Sequence, residues 1–293
     1  MNYAEKGKND STNHESIVII NCALNAPLML ISIIGNALVL AAILRTPSIR
    51  STSMIMLCSL AVSDLLVGFV AQPLYIADEL QRLKKEDFLL YRLSAMIGFF
   101  LCGVSLGTMA TISVDRYMAL HYHMRYAALV TKSRVRCTLG IIWLIVFSSL
   151  GFYLWNKFVY HLMAGIFTAL CLAICTFSYI KIYTIVRQHH LQIKAQQQSV
   201  ESSNTGNMNM LRLKNSAINT FIFYICMIVC YFPYVVLLTM FGTIYKDWKT
   251  EWTFATTLVF MNSSINPILY CWRLRELRTA VLRTIKQLLF KEI

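Results

Sequence analysis

The sequence predicts an all-α membrane protein, a bundle of seven transmembrane helices with a short amphipathic eighth helix and an extracellular N-terminus. Of its 293 residues, 57% are hydrophobic and only 14% are charged, which is about half the usual charged share. Seven stretches of about 20 residues or more carry almost no charge, and a membrane-spanning helix needs that length. Their apolar residues lack the strict alternation of barrel strands, so each stretch is predicted to be a helix that satisfies its own backbone.

In chain order the seven stretches are Ile17–Leu44, Ser51–Ala77, Leu93–Val114, Cys137–Asn156, Phe158–Ile180, Asn215–Tyr245 and Trp252–Trp272. The second is interrupted by one formal charge, Asp64. This pattern divides the chain into an extracellular N-terminus (1–16), the seven-helix bundle (17–272) and a cytoplasmic amphipathic helix with the C-terminus (273–293).

The positive charges predict the orientation of the bundle. With the N-terminus outside, 18 of the 27 Lys and Arg residues lie on the cytoplasmic side, as the positive-inside rule requires. Only four acidic residues accompany them, which leaves that side with a net charge of +14. We therefore assign the basic balance to contacts with anionic lipid and an acidic protein partner, not with nucleic acid.

Asp64 predicts a functional centre inside the membrane. A carboxylate at mid-depth costs roughly 2.5–3.5 kcal/mol or more unless other groups compensate it. Polar side chains at comparable depth are Asn36, Ser105, Asn262 and Asn266. On chemistry alone this set suits a small hard cation, a cluster of waters, or a hydrogen-bond network that only fixes helix packing.

A second polar group stands at the cytoplasmic end of the third helix. There Asp115 and Arg116 are adjacent and followed by Tyr117, so one conformation can hold the arginine on the acid and another can release it. Tyr179 and Tyr270 lie near the same face and are candidates to hydrogen-bond a released Arg116.

Prolines predict where the helices bend. Pro233 in the sixth helix and Pro267 in the seventh each remove a backbone hydrogen bond.

The two ends of the chain carry surface features. After the seventh helix, Leu274–Phe290 has leucines on one face and arginines on the rest, which predicts a helix lying in the membrane interface. Near the N-terminus, Asn9-Asp10-Ser11 forms a glycosylation sequon on the predicted outer side.

Five motifs in order resemble the rhodopsin-like (class A) G-protein-coupled receptors, over essentially the whole chain. They are Gly35-Asn36, Leu60-Ala61-Val62-Ser63-Asp64, Asp115-Arg116-Tyr117, Trp143 and Asn266-Pro267-Ile268-Leu269-Tyr270. Within the class, the residues after the third helix are similar to those of the branch that contains melanocortin, cannabinoid, adenosine and lysophospholipid receptors.

The resemblance implies roles for several of these residues. Asp64, Ser105, Asn262 and Asn266 match an allosteric sodium pocket, with Asp64 and Ser105 as the Na⁺ ligands and no other cofactor implied. Arg116 is then expected to contact a heterotrimeric G protein once the sixth helix swings out about Pro233. Tyr231 stands where the family usually has a tryptophan before this bend, so the resemblance makes it part of the expected switch. An acid that would lock Arg116 to the sixth helix is missing from the sequence there, so basal activity is expected.

The resemblance also places a ligand pocket in the outer half of the bundle. Its predicted lining is Gly98, Cys102, Tyr231, Leu238 and Phe260, with Asp78 and Glu79 at its mouth. Gly98 stands where amine receptors carry an aspartate, so a typical amine pocket is not expected. A mostly apolar lining predicts a small, largely apolar or weakly cationic ligand.

The sequence therefore predicts a plasma-membrane receptor that changes cyclic AMP through a G protein, and not an enzyme. Its expected partners are the G protein, an extracellular ligand and membrane lipids. If the receptor dimerises, a second receptor is a further partner. The alternative within this class is a weakly signalling receptor that acts by dimerising with another. A transporter would show paired broken helices or more charges inside the membrane, and a membrane hydrolase would need several His and Asp ligands at one depth; the sequence shows neither.

Overall fold

Every regular element in the described part of the chain is a helix. The computed structural model describes residues 2–46, 51–83, 88–122, 125–199, 204–240 and 249–290. The helices are α1 (Asn2–Arg45), α2 (Thr52–Leu66), α3 (Gln72–Leu83), α4 (Phe88–Tyr122), α5 (Tyr126–Leu129), α6 (Lys132–Trp155), α7 (Lys157–Ser199), α8 (Asn204–Met240), α9 (Lys249–Arg273) and α10 (Arg275–Phe290). One π-helical turn, Val67–Ala71, joins α2 to α3. The all-helical prediction is confirmed.

The predicted membrane-spanning stretches coincide with long helices. Within the described residues, six segments are long and apolar enough to cross a membrane: those of α1, of α2 with α3, and of α4, α6, α7 and α8. The seventh predicted span is α9, a helix of 25 residues. Polar residues lower its hydropathy, and Asn262, Ser263, Ser264 and Asn266 are all buried inside the bundle.

The outward faces of the helices are apolar. On α6, Leu144 and Trp155 are 68% and 77% exposed. In water, such large exposed apolar side chains would be costly, but hydrocarbon chains solvate them. The polar residues instead point inward, which is the arrangement expected of a helical bundle in a bilayer.

Close helix contacts fix the bundle. A side-chain carbon at Gly35 would come within 2.9 Å of the Pro267 ring, so the absence of a side chain lets α1 approach α9. On the other side of the bundle, the Trp143 indole donates to Ser59 Oγ at 3.2 Å and joins α6 to α2. Asn156 alone forms the turn from α6 to α7, because its Oδ1 accepts from the backbone of Phe158 at 2.8 Å.

The amphipathic helix predicted after the bundle is α10, which buries Leu277 and Val281 while Leu282 stays exposed. The side chain of Asn9 lies outside those that the structure describes. The division into an extracellular head, bundle and cytoplasmic end stays a prediction.

Candidate functional site

Asp64 is fully buried and joins three helices. Its Oδ1 accepts hydrogen bonds from Ser105 Oγ of α4 and from Ser263 Oγ of α9, each at 2.8 Å. Its Oδ2 accepts one from Asn266 Nδ2 of α9 at 2.7 Å. Hydrogen bonds to a charged acceptor are stronger than neutral ones, so these donors compensate much of the cost of burying the carboxylate.

Two of the other predicted residues, Asn36 and Asn262, donate their hydrogen bonds to neighbouring groups and not to Asp64. Asn36 Nδ2 donates to the carbonyl oxygen of Ser263 at 3.1 Å and not to Asp64. Asn262 Nδ2 faces Met109 Sδ at 3.4 Å. Sequence reasoning missed Ser263, although it lies three residues before Asn266 and so on the same face of α9.

The residues around Asp64 fit a small hard cation. The carboxylate and the hydroxyl oxygens of Ser105 and Ser263 meet at one point and are all oxygen ligands. Two further buried acceptors, Asn36 Oδ1 and Asn266 Oδ1, receive no hydrogen bond from any described residue. A cation here would supply positive charge to the buried carboxylate.

The acid of the second polar group is held by two neighbours. Tyr126 OH of α5 donates to Asp115 Oδ1 at 2.6 Å, and Ser53 Oγ of α2 donates to Asp115 Oδ2 at 3.1 Å. Burial, and then the bond to Asp115, raise the pKa of Tyr126, so its hydroxyl keeps the proton that it donates. Neither Tyr126 nor Ser53 was among the predicted site residues.

Arg116 makes a looser contact with the same acid. Its Nη2 lies 3.5 Å from Asp115 Oδ2, and its side chain is 29% exposed. Neighbouring Tyr117 turns away and stacks on His121 with ring centres 5.4 Å apart. Arg116 is thus partly free on the predicted cytoplasmic face.

The two tyrosines predicted to engage Arg116 have other neighbours here. Tyr179 OH accepts from Ser113 Oγ at 3.4 Å. The Tyr270 ring lies 5.3 Å from the ring of Phe223, and its hydroxyl has no hydrogen-bond partner among the described residues. This arrangement leaves the Tyr270 hydroxyl able to form a new bond if the helices move.

Two contacts between helices join residues of the predicted switch and pocket. Tyr231 OH donates to the carbonyl oxygen of Cys102 at 3.3 Å, which ties α8 to α4 two residues before Pro233. The Phe260 ring lies 3.5 Å from where a side chain at Gly98 would start. Leu238 lies on the α7 side, beside Gly165.

The two acids predicted at the mouth are buried and already paired. Asp78 and Glu79 are 3% and 2% exposed. Arg82, on the same helix, contacts Asp78 Oδ2 at 2.8 Å and Glu79 Oε1 at 3.1 Å. The sequence analysis missed Arg82, although its i+3 and i+4 spacing from the acids is the spacing of helical ion pairs.

Comparison with known proteins identifies relatives over most of the chain. Residues 35–154 match the model of a family described as 7 transmembrane receptor (rhodopsin family). The chain is 27% identical over 279 residues to the histamine H2 receptor of Cavia porcellus and 28% identical over 283 residues to that of Canis lupus familiaris. In both cases the match covers 86% of this chain and 76% of the relative.

A second group of relatives falls within the branch that the motifs indicated. The chain is 24% identical over 302 residues to cannabinoid receptor type 1B of Takifugu rubripes, which covers 92% of this chain and 63% of the relative. The likeness to melanocortin and adenosine receptors stays a prediction. All of these relatives are receptors and none is an enzyme by name. The family match and these relatives support a rhodopsin-like G-protein-coupled receptor, a multi-pass protein of the plasma membrane that responds to an extracellular ligand and signals to a G protein.

Proposed function

We propose that this receptor converts the binding of a small, largely apolar or weakly cationic ligand into G-protein activation that changes cyclic AMP, and that it has basal activity. The observation that carries the proposal is the loose hold on Arg116, whose contact with Asp115 is 3.5 Å long. Helix α8, from Asn204 to Met240, contains no Asp or Glu to hold Arg116 from the other side. A partly exposed arginine that Asp115 holds only loosely is available to a G protein without ligand.

Asp64 is proposed to couple the outer half of the bundle to this face. It joins α2, α4 and α9, and α9 carries both Phe260 in the predicted pocket and Tyr270 at the cytoplasmic end. A Na⁺ ion held by Asp64, Ser105 and Ser263 would add bonds between these helices and so favour the arrangement described here. Its loss would favour movement of α9.

The apolar side of the outer pocket supports the ligand class. Gly98, Cys102, Tyr231 and Phe260 present one buried hydroxyl and otherwise apolar surface. The relatives are receptors for chemically different ligands by their names, histamine and cannabinoids. A small, largely apolar or weakly cationic ligand is the class common to the predicted lining and to these names.

A weakly signalling receptor that acts by dimerising is the second candidate. The hydrogen bond from Tyr231 to the Cys102 carbonyl favours it, because it ties α8 to α4 beside the proline about which α8 would bend. Contacts with membrane lipids are proposed through the exposed cationic side chains of α10, such as Arg278 and Arg283.

The experiment compares cyclic AMP, without ligand, in cells expressing the wild type and Arg116→Ala at matched surface level. We expect the substitution to remove a basal change in cyclic AMP, whose sign identifies the class of G protein. Arg136→Ala is the control, since it removes an exposed arginine near the start of α6, on the same predicted cytoplasmic side. Equal cyclic AMP in wild type, Arg116→Ala and cells lacking the receptor would exclude basal coupling and favour the dimerising alternative.

A further inference from the structure

A buried polar cluster lies between α1, α3 and α9 and meets the predicted pocket only at Glu79. At its centre, Asn21 Nδ2 donates to Tyr75 OH at 3.1 Å. Tyr75 OH in turn donates to the carbonyl oxygen of Thr253 at 3.0 Å. These bonds join all three helices in the outer half of the bundle.

Two more residues, Thr257 and Asn25, extend the hydrogen bonding of the cluster. Thr257 Oγ1 donates to Asn21 Oδ1 at 2.5 Å and accepts from Asn25 Nδ2 at 2.9 Å. Asn25 is fully buried, yet its Oδ1 receives no hydrogen bond from any residue that the structure describes. A buried acceptor left in this way costs about 1–3 kcal/mol, which a ligand that donates a hydrogen bond would recover.

Glu79 brings negative charge to the same cluster. It hydrogen-bonds the Thr253 side chain and lies close enough to Tyr75 for its charge to act on that hydroxyl. Glu79 and Asp78 share one guanidinium, that of Arg82, so the three side chains carry one excess negative charge. Such an excess beside a buried acceptor favours a monovalent cation with N–H donors.

Phe260 separates this cluster from the apolar pocket. The Cζ end of its ring lies over Gly98. Its ring centre lies 5.3 Å from that of Tyr75 in an edge-to-face contact. The space beside Gly98, where an amine receptor has its aspartate, is therefore filled by an aromatic ring. The acidic group available to a cation lies on α3 instead.

We infer that the cluster formed by Asn21, Asn25, Tyr75, Glu79 and Thr257 binds the protonated amine of a small extracellular ligand, with Glu79 as its counter-ion. The inference rests on the proposed ligand-receptor function and specifies its chemistry. An ammonium group has three N–H donors and no acceptor. The Glu79 carboxylate, Asn25 Oδ1 and Tyr75 OH are acceptors of matching chemistry. The rest of the ligand lies against Phe260.

The test measures thermal unfolding of the purified full-length receptor with a thiol-reactive dye, since Cys102 and Cys175 are buried and react on unfolding. Histamine is the probe, because it is a small protonated amine and because two of the relatives are named as histamine receptors. N-acetylhistamine, which keeps the ring but loses the ammonium, is the neutral control. We expect histamine, and not its acetylated form, to raise the unfolding temperature of the wild type.

The variants assign the effect to Glu79. Glu79→Gln is expected to raise the half-saturating histamine concentration by about 10-fold or more, the value of one charge-assisted hydrogen bond. Asn25→Ala is expected to weaken binding less. Glu251→Gln is the matched control, because it removes an exposed acid from the outer end of α9 and should leave histamine binding unchanged. If Glu79→Gln fails to fold, Glu79→Asp keeps the charge and is expected to bind more weakly than the wild type.

Three results would overturn the inference: no thermal shift with millimolar histamine, an equal shift with N-acetylhistamine, or a shift that Glu79→Gln leaves unchanged. Nucleotide exchange on the G protein, measured in parallel, separates this inference from the proposed function. A thermal shift without exchange contradicts the proposed function alone. Basal exchange that needs Arg116, without a histamine shift, contradicts the amine site alone.

Discussion

The Phe260 ring lies 3.5 Å from the point where a side chain at Gly98 would begin. This is ordinary van der Waals contact, so a methyl group fits there but a longer side chain would displace the ring. Because the same ring packs on Tyr75, the contact separates an apolar pocket on one side from a polar cluster on the other. The missing side chain at Gly98 thus leaves room for the Phe260 ring between the two.

We expect Gly98→Ala to leave stability nearly unchanged and Gly98→Leu to destabilise the receptor by about 1–3 kcal/mol, because the larger side chain must push Phe260 aside. Thermal unfolding of the purified variants measures both. The double variant Gly98→Leu with Phe260→Ala should recover part of the loss. Equal unfolding temperatures for Gly98→Ala and Gly98→Leu would show that the ring does not cover this position.

The approach of α1 to α9 gives a contrasting prediction for a second glycine. A side-chain carbon at Gly35 would lie 2.9 Å from two carbons of the rigid Pro267 ring. Gly35→Ala is therefore expected to lower the unfolding temperature, at a cost of about 1–3 kcal/mol. Gly140→Ala serves as the control, because nothing lies within 4 Å of its added carbon and alanine favours helix. A smaller effect at Gly35 than at Gly140 would contradict the packing described here.

Ser263, which the sequence motifs did not indicate, is expected to contribute to Na⁺ binding beside Asp64. Replacing K⁺ by Na⁺ at constant ionic strength should raise the unfolding temperature of the wild type, and Asp64→Asn should abolish the difference. Ser263→Ala should reduce it, because this substitution removes a hydroxyl 2.8 Å from Asp64 Oδ1.

Ser264→Ala is the matched control for Ser263. The Ser264 hydroxyl donates to the carbonyl oxygen of Leu28 and not to Asp64, so its loss should leave the Na⁺ response intact. A response that survives Asp64→Asn would place sodium elsewhere, and equal effects of the two serine variants would exclude a specific role for Ser263.

Tyr126→Phe is expected to increase basal nucleotide exchange severalfold. It removes a 2.6 Å hydrogen bond to Asp115 that joins α5 to α4, and a bond to a charged group contributes about 1.5–3 kcal/mol. The measurement is exchange on the G protein in membranes without ligand. Tyr122→Phe is the control, because Tyr122 lies near the same helix end but is exposed and packs its ring on His121. Unchanged exchange in Tyr126→Phe would show that this bond does not restrain the switch.

Tyr231→Phe distinguishes the two candidate functions. It removes the bond from α8 to the Cys102 carbonyl and keeps the ring. If that bond restrains α8, exchange should rise above the wild type. A receptor that remains silent after this change, at normal surface level, would favour the dimerising alternative.

Much of the fold could be predicted because its determinants are local. Apolar length, low charge and the asymmetry of Lys and Arg are properties of consecutive residues, and in a membrane each such stretch must satisfy its own backbone as a helix. The same holds for the motifs around Asp64 and Arg116, which were identified from neighbouring residues. Even α9, whose polar residues lower its hydropathy, was placed by length and motif.

The partners of these residues were decided only by the tertiary structure. Four amides and hydroxyls have the right depth for Asp64, but the rotation of each helix selects Ser105 and Asn266, adds Ser263, and leaves Asn36 and Asn262 one step away. Depth follows from position along one helix, whereas contact depends on how several helices turn and approach one another.

The same distinction applies to the outer half of the receptor. The sequence by itself determined a seven-helix receptor with an acid at its centre and an arginine at its cytoplasmic end. Only the packed structure showed that Phe260 fills the space beside Gly98, that Arg82 takes both mouth acids, and that Asn21 and Tyr75 meet across 54 positions of the chain. These relationships join residues that are far apart in the sequence, so they cannot be predicted from composition and spacing along the chain.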